Sequence, residues 1–244
     1  MAEKKEHKIV SADGGSVKKP QTVQHNVRPA PAKGNAGGLR AGAVVRWIVA
    51  IVFEVLAVLV LFGKISLTFM PVMYQLIAFI VLDLVCVVIG SALWKKANHI
   101  APASERNKTK FWLWNNMGLI VAIFAFVPLV VLLLTNKDLD KRTKVICTVV
   151  AAIALLIGGA ASIDYDPVSQ EQLSTAEYVL GDTEVYWAPV GKVYHTHEDC
   201  QALNNSETLT VGTVDQAIEA NRTRLCSFCA RRDDITELAT DNAA

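Results

Sequence analysis

Four long apolar blocks in the middle of the chain constrain its fold more than any other feature of the sequence. A helix needs about 17–25 mostly apolar residues to cross the hydrocarbon core of a bilayer. Buried helices of a soluble protein would carry polar residues on one face, recurring with a period of 3.6, whereas the run from Trp47 to Phe62 contains only Glu54 among its apolar residues. The sequence therefore predicts an α-helical membrane protein with four transmembrane helices. The predicted spans are Ala43–Phe62, Val72–Trp94, Phe111–Leu134 and Val145–Ile163.

The charged residues lie mostly outside these blocks and divide the rest of the chain. Residues 1–42 contain Gly, Pro, Ala and Lys with almost no large apolar side chains, which predicts a disordered basic tail. The first apolar block begins only after this tail, so we expect it to be retained as a helix rather than cleaved as a signal peptide. After the transmembrane domain, at 43–163, we expect an acidic linker at 164–183.

Lysine and arginine in the short loops predict the orientation, because these residues are enriched on the cytoplasmic side. The loop between the second and third blocks is basic and the loop at 62–72 carries only Lys64, so we expect a cytoplasmic N-terminus and, after four crossings, a cytoplasmic C-terminal domain. A basic cluster at 137–144 and acidic residues after the fourth block oppose this orientation. If the third block, which contains Asn115, Asn116 and Pro128, failed to cross fully, the C-terminal domain would be external.

Two carboxyl residues lie near the middle of the first two spans. Glu54 and Asp83 would lie at similar depth in an antiparallel hairpin. Ionisable groups in hydrocarbon are costly and often mark a proton path, an ion site or a contact between helices. The alternative is that each carboxyl group only hydrogen-bonds a neighbouring helix.

The C-terminal segment shows the short elements of a small α+β domain, which we place at 184–235, with a tail at 236–244. Strand-like runs occur at Val185–Ala188, Lys192–His195 and Thr208–Val211. Thr213 begins a short helix with Gln216 in capping-box position. A domain of about fifty residues seldom has a sufficient core without a disulfide or a metal.

Histidine and cysteine residues in this segment have the spacing of a metal site. Zinc takes four nitrogen or sulfur donors in a tetrahedron, commonly as two close pairs from separate turns. His195 with Cys200 forms one pair, and Cys226 with Cys229 forms the other. His197 is a rival donor two residues from His195, and we expect it to lie outside the metal site. The sequence therefore predicts one Zn²⁺ ion bound by His195, Cys200, Cys226 and Cys229, with Tyr194, Trp187 and Phe228 forming a small apolar core.

At these residues the sequence resembles the zinc-binding domain of the Ada DNA-repair protein and related modules appended to bacterial proteins. The resemblance covers 184–232 and is carried by Tyr194, His195, Cys200, Gln216, Ala217, Arg224, Cys226 and Cys229. It implies a structural zinc site; within Ada the domain also accepts a methyl group on one zinc-bound cysteine and binds DNA. The chain departs from Ada at His195, where Ada has cysteine, and in a His–Cys spacing that is one residue longer. Residues 184–244 hold five Lys/Arg against ten Asp/Glu, which argues against nucleic acid as a partner.

Three functions fit the sequence. The first is a non-enzymatic, membrane-anchored zinc module that binds a protein partner or senses a signal, since four protein ligands leave no open position for a substrate. The second is a thiol-reactive sensor or enzyme in which a zinc-bound cysteine is alkylated or oxidised. The third is a small transporter that uses Glu54 and Asp83, and four spans would serve this function only in a homo-oligomer.

Overall fold

The apolar blocks form helices in the structure, a computed structural model that describes residues 26–239. The bounds are α1 Ala36–Leu61, α2 Val72–Ile100, α3 Lys108–Asn115, α4 Met117–Thr135 and α5 Lys141–Ser162. The helices α1, α2, α4 and α5 are each long and apolar enough to cross a membrane, as predicted. The third block is interrupted: the short helix α3 ends at Asn115, and α4 begins after Asn116, whose side-chain amide donates to the Trp112 carbonyl at 2.9 Å.

Helices α1 and α2 form an antiparallel hairpin. Its register is fixed where Trp47 of α1 packs on Gly90 of α2. The indole of Trp47 occupies the space beside Gly90, where a Cβ would lie 2.6 Å from the indole nitrogen, and its ring is 5.3 Å from that of Trp94. Glu54 lies seven residues after Trp47, and Asp83 lies seven residues before Gly90. The same register therefore places the two carboxyl residues opposite each other, at the similar depth that the sequence predicts.

The C-terminal domain lies at the end of the bundle where α1 begins and α2 ends. His99, at the end of α2, contacts Asp164 at 3.1 Å, and the Gln170 amide donates to the Ala103 carbonyl at 3.0 Å. Arg40, in the second turn of α1, donates to the Ala101 carbonyl at 2.7 Å. The loop at 101–107 and the C-terminal domain therefore lie at the same end of the bundle. Helix α4 runs away from this end, and α5 returns to it.

Two small sheets and short helices form the C-terminal domain. The bounds are β1 Asn26–Pro29, α6 Gln170–Leu180, β2 Val185–Trp187, β3 Val193–Tyr194, β4 Thr208–Gly212, α7 Val214–Glu219, β5 Arg224–Leu225 and α8 Ser227–Arg232. In the first sheet, β4 pairs in parallel with β1 and antiparallel with β2; in the second, β3 pairs in parallel with β5. The three predicted strand-like runs are confirmed as β2, β3 and β4, and the Gln216 side chain accepts from the Thr213 amide at 3.0 Å, as its capping-box position predicts.

The predicted disordered tail at 1–42 is wrong in its second part. Asn26–Pro29 forms strand β1, and α1 begins at Ala36, where the Asn35 side chain accepts from the Gly38 amide at 3.2 Å. The strand is stabilised by its pairing with β4, a partner remote in sequence that composition does not reveal. Residues 1–25 and 240–244 of the predicted tails lie outside the described residues.

The predicted acidic linker at 164–183 is part of the C-terminal domain. Helix α6 begins after Ser169, whose side chain accepts from the Gln172 amide at 3.0 Å. Its buried residues recur at helical spacing, so one face of α6 is apolar although the segment is acidic on average. Leu238 also lies in this core, so the domain extends past 235. The core residues that α6 contributes are Leu173, Ala176 and Leu180.

Candidate metal centre

The parallel pairing of β3 with β5 brings two of the predicted ligands, His195 and Cys226, side by side. Tyr194 is paired with Leu225, so His195 and Cys226 are the next residues along the two strands. The Cys226 amide donates to the Tyr194 carbonyl at 2.8 Å. On its other side, His195 exchanges two backbone hydrogen bonds of 2.7 Å with Tyr186. His195 is therefore fixed by its own two backbone hydrogen bonds to Tyr186, and the preceding residue is fixed by the bond from Cys226.

The other two predicted ligands lie at the starts of helical turns. Cys200 precedes a 3₁₀ turn over Gln201–Leu203, and its carbonyl accepts from the Leu203 amide at 2.9 Å. Cys226 is the N-cap of α8, and Cys229 lies three residues later in its first turn. Residues three apart in a helix lie on the same face, so the two thiols of this pair point to the same side.

The structure brings all four predicted residues together in one buried cluster. The imidazole and sulfur atoms that could bind a metal all lie within 4.8 Å of one another, and Nδ1 of His195 is 3.8 Å from Sγ of Cys229. In a tetrahedral zinc site the donor atoms are about 3.5–3.8 Å apart, given bonds of about 2.0–2.3 Å. The cysteines are free thiols. The cluster could therefore hold a metal ion with a small contraction.

Burial disfavours the charged forms of these side chains when no cation is present. Burial lowers the pKa of the His195 imidazole to about 4, so the ring is neutral at neutral pH, the form that binds a metal. Burial, together with the neighbouring Cys229, raises the pKa of the Cys200 thiol to about 12. A divalent cation would reverse this preference by stabilising the thiolate, and its binding would release a proton from Cys200.

His197, the rival donor, points away from the cluster. Its Nε2 atom lies 2.6 Å from Oδ1 of Asp233, and the other carboxylate oxygen accepts from the Thr196 hydroxyl. About a third of the His197 side chain is exposed, whereas His195 is 3% exposed. Strand alternation alone would place residues two apart on the same face, but the chain bends at Thr196 after His195 and so directs His197 elsewhere.

The predicted apolar core is correct for two residues and wrong for the third. Tyr194 and Trp187 are buried, but Phe228 is 44% exposed. Because Cys226 and Cys229 face inward at the start of α8, the two residues between them, Ser227 and Phe228, face outward. The guanidinium of Arg231 lies 5.3 Å from the Phe228 ring.

Asp83 is the exception among the polar side chains buried along α2. It is 1% exposed, and neither carboxylate oxygen has a hydrogen-bond partner in the part of the chain that the structure describes. The interpretation that each carboxyl group only hydrogen-bonds a neighbouring helix therefore fails for Asp83. Other buried polar side chains of α2 are bonded: Gln75 to Leu67, Ser91 to Ser162 and Asn98 to Asn115.

Sequence reasoning missed the polar contacts that attach the C-terminal domain to the bundle. His99 and Asp164 form a pair in which each side chain is only 6% exposed. Glu219 accepts from the Gly34 amide at 2.9 Å and lies 3.7 Å from the Lys96 ammonium. The partners are remote in sequence, so no local pattern could have revealed them.

Two arginines of the C-terminal domain, Arg222 and Arg232, are engaged within the domain. Arg222 donates to the carbonyls of Ala188 and Pro189 at 2.8 and 2.6 Å, and Arg232 pairs with Asp199 at 2.8 Å.

The resemblance to the Ada zinc domain stays a prediction, because comparison with protein-family models, curated proteins and solved structures found no match.

Proposed function

We propose that this chain is an integral membrane protein that presents a structural zinc-binding module for partner binding or sensing, without enzymatic activity. The observation that carries the proposal is the buried cluster of one imidazole and three thiols. Sulfur and nitrogen donors in this ratio suit Zn²⁺, and four protein ligands leave no open coordination position. The zinc content of the protein and the stability of the domain after zinc removal test the proposal.

The outer surface of the helix bundle supports the membrane placement. Large apolar side chains are exposed all along the four long helices, and soluble proteins rarely expose contiguous apolar patches of more than a few hundred Å². A bilayer would cover this surface. Examples, one from each helix, are Val52 at 52% exposure, Leu82 at 43%, Phe124 at 72% and Leu156 at 72%.

Charge at the two ends of the bundle supports a cytoplasmic C-terminal domain. The domain end combines the basic loop between α2 and α3 with cations of the N-terminal segment, Arg28, Lys33 and Arg40. The opposite end carries Lys64 and the cluster at 137–144. The larger number of cations at the domain end favours the cytoplasmic side for that end.

Accessibility of introduced cysteines in intact cells tests this orientation. We expect Lys108→Cys and Val190→Cys to resist an impermeant maleimide until the cells are permeabilised, because both residues lie at the cytoplasmic end. Lys64→Cys and Lys137→Cys, at the other end, should be labelled without permeabilisation. Labelling of Val190→Cys but not Lys108→Cys would contradict the arrangement in which both lie on one side.

A cavity beside the cluster favours the thiol-reactive sensor as a second candidate. It has a volume of about 280 Å³, and its lining includes Cys200, Cys229 and the exposed Phe228. A zinc-bound thiolate remains nucleophilic at neutral pH, and this cavity would admit a small electrophile to it. Selective modification of one cysteine in the zinc-loaded protein, read by mass spectrometry after mild alkylation, would favour this candidate over a purely structural module.

The unpartnered Asp83 favours the oligomeric transporter as a further alternative. We expect Glu54→Gln and Asp83→Asn to express and assemble like the wild type, because no described residue pairs with the Asp83 carboxylate and the amide removes the cost of a buried charge. Proton or ion flux in proteoliposomes then decides. Flux through the wild type that either amide abolishes would establish transport, whereas loss of expression would mean that the ionised form is required structurally.

A further inference from the structure

A basic cavity lies where the helix bundle meets the C-terminal domain. Its volume is about 600 Å³, within the range of roughly 300–1,000 Å³ of small-molecule sites. The wall combines α1, the loop after α2, helix α3 and the first residue of α6. Three cations, Arg40, Arg106 and Lys110, line it, and no aspartate or glutamate of the described chain does.

Two of the three cations have exposed side chains that a ligand can reach. The Arg106 side chain is 91% exposed, although it forms an ion pair of 3.8 Å with Glu171, which a bound anion would share. Lys110 is exposed and forms no ion pair with any residue in the described range. Arg40, by contrast, is held in place: its guanidinium donates to the Ala101 carbonyl at 2.7 Å and lies 5.4 Å from the Trp114 ring.

Helix α3 adds a partial positive charge to the same place. It begins at Lys108, and Asn107, a lining residue, caps it by accepting from the Lys110 amide at 3.0 Å. The N-terminal end of a helix carries the positive end of the helix dipole and amide groups without intrahelical partners. An anion in the cavity would thus meet side-chain cations and the start of α3 together.

The surroundings of the cavity are those of a membrane interface. Trp114 lines it, and on the same helix Trp112 and Leu113 are 54% and 42% exposed. Tryptophan is enriched where transmembrane segments meet the headgroup region. Phe124, farther along in α4, is 72% exposed as well, so apolar surface is present on both α3 and α4.

We propose that this cavity binds the phosphate-bearing headgroup of an anionic phospholipid from the leaflet on the side of the C-terminal domain. The site rests on the proposed membrane placement and is independent of zinc. The charge of the lining matches a phosphate, and the exposed apolar residues beside it match a lipid rather than a soluble anion. Because α1, the loop at 101–107 and α6 all contribute, the bound headgroup ties the zinc domain to the bundle.

Native mass spectrometry of the full-length protein in detergent tests the site. Phosphatidylglycerol should bind more tightly than phosphatidylcholine, and Arg106→Gln with Lys110→Gln should weaken phosphatidylglycerol binding about 25-fold, roughly fivefold for each cation removed near a membrane surface. The matched control, Lys141→Gln with Arg142→Gln, removes two cations from the other end of the bundle and should bind phosphatidylglycerol like the wild type.

Three results would overturn the proposal. Equal binding of the two lipids, or an equal loss of binding in the control variant, would show that the lipids adhere to a non-specific surface. Displacement of phosphatidylglycerol by millimolar inorganic phosphate would assign the cavity to a soluble anion. Zinc content, measured on the same samples, reports separately on the metal site, and carbonate extraction of the expressed protein reports separately on membrane placement.

Discussion

Zinc removal from the full-length protein in detergent is expected to unfold the C-terminal domain while the helix bundle persists. Binding of structural zinc contributes about 10–16 kcal/mol in small domains. This is as large as the whole free energy of unfolding of a typical protein, about 5–15 kcal/mol. Without the ion, the four neutral side chains are joined only by weak contacts, such as the 3.8 Å contact between Nδ1 of His195 and Sγ of Cys229. Hydrogen exchange should show strong loss of protection at residues 184–232 after chelation, and little change in α1, α2, α4 and α5.

The metal-bound protein should contain one zinc per chain, held by the four predicted residues. Cobalt substitution reports the donors directly, because thiolate charge-transfer bands should weaken stepwise as Cys200, Cys226 and Cys229 are changed to serine. His195→Ala should weaken metal binding greatly.

His197→Ala is the matched control, because His197 pairs with Asp233 outside the cluster. It should alter metal binding little. A stronger effect of His197→Ala than of His195→Ala would move the ligand to His197. A C-terminal domain that kept its protection in strong chelator would contradict the structural role of the metal.

The features that the sequence predicted correctly are those encoded locally. Long apolar runs form helices wherever they lie, so four helices of membrane length could be predicted from composition alone. The pair Cys226 and Cys229 lies within one helical turn, and His195 and Cys200 are five residues apart. Short spacings of this kind leave few ways to arrange the side chains, which is why the cluster could be assembled from the sequence.

The features that were missed depend on partners remote in the chain. Strand β1 exists because β4 lies beside it, and the composition of the first residues indicates only a tail. The same holds for the pair of His99 and Asp164, which joins the end of α2 to the segment after α5. Average charge was misleading at 164–183, because an amphipathic helix can be acidic on one face and still bury the other.

The buried face of α6 gives the second large effect that we expect. Leu173→Ala should destabilise the C-terminal domain by about 2–5 kcal/mol, because truncating a buried leucine removes apolar burial and leaves a cavity. This change lies outside the segment that contains the metal cluster. Hydrogen exchange at residues 184–232 in the zinc-loaded, full-length protein should become at least about 30-fold faster, as a loss of 2 kcal/mol requires when exchange proceeds through unfolding of the domain.

Tyr178→Ala is the matched control on the exposed face of the same helix. Tyr178 is 90% exposed, so its truncation removes little buried surface, and surface changes of this kind usually alter stability by less than about 0.5 kcal/mol. If α6 were only a linker, the two variants would exchange at the same rate. A selective effect of Leu173→Ala would establish α6 as a structural part of the domain, and equal rates would restore the boundary at residue 184.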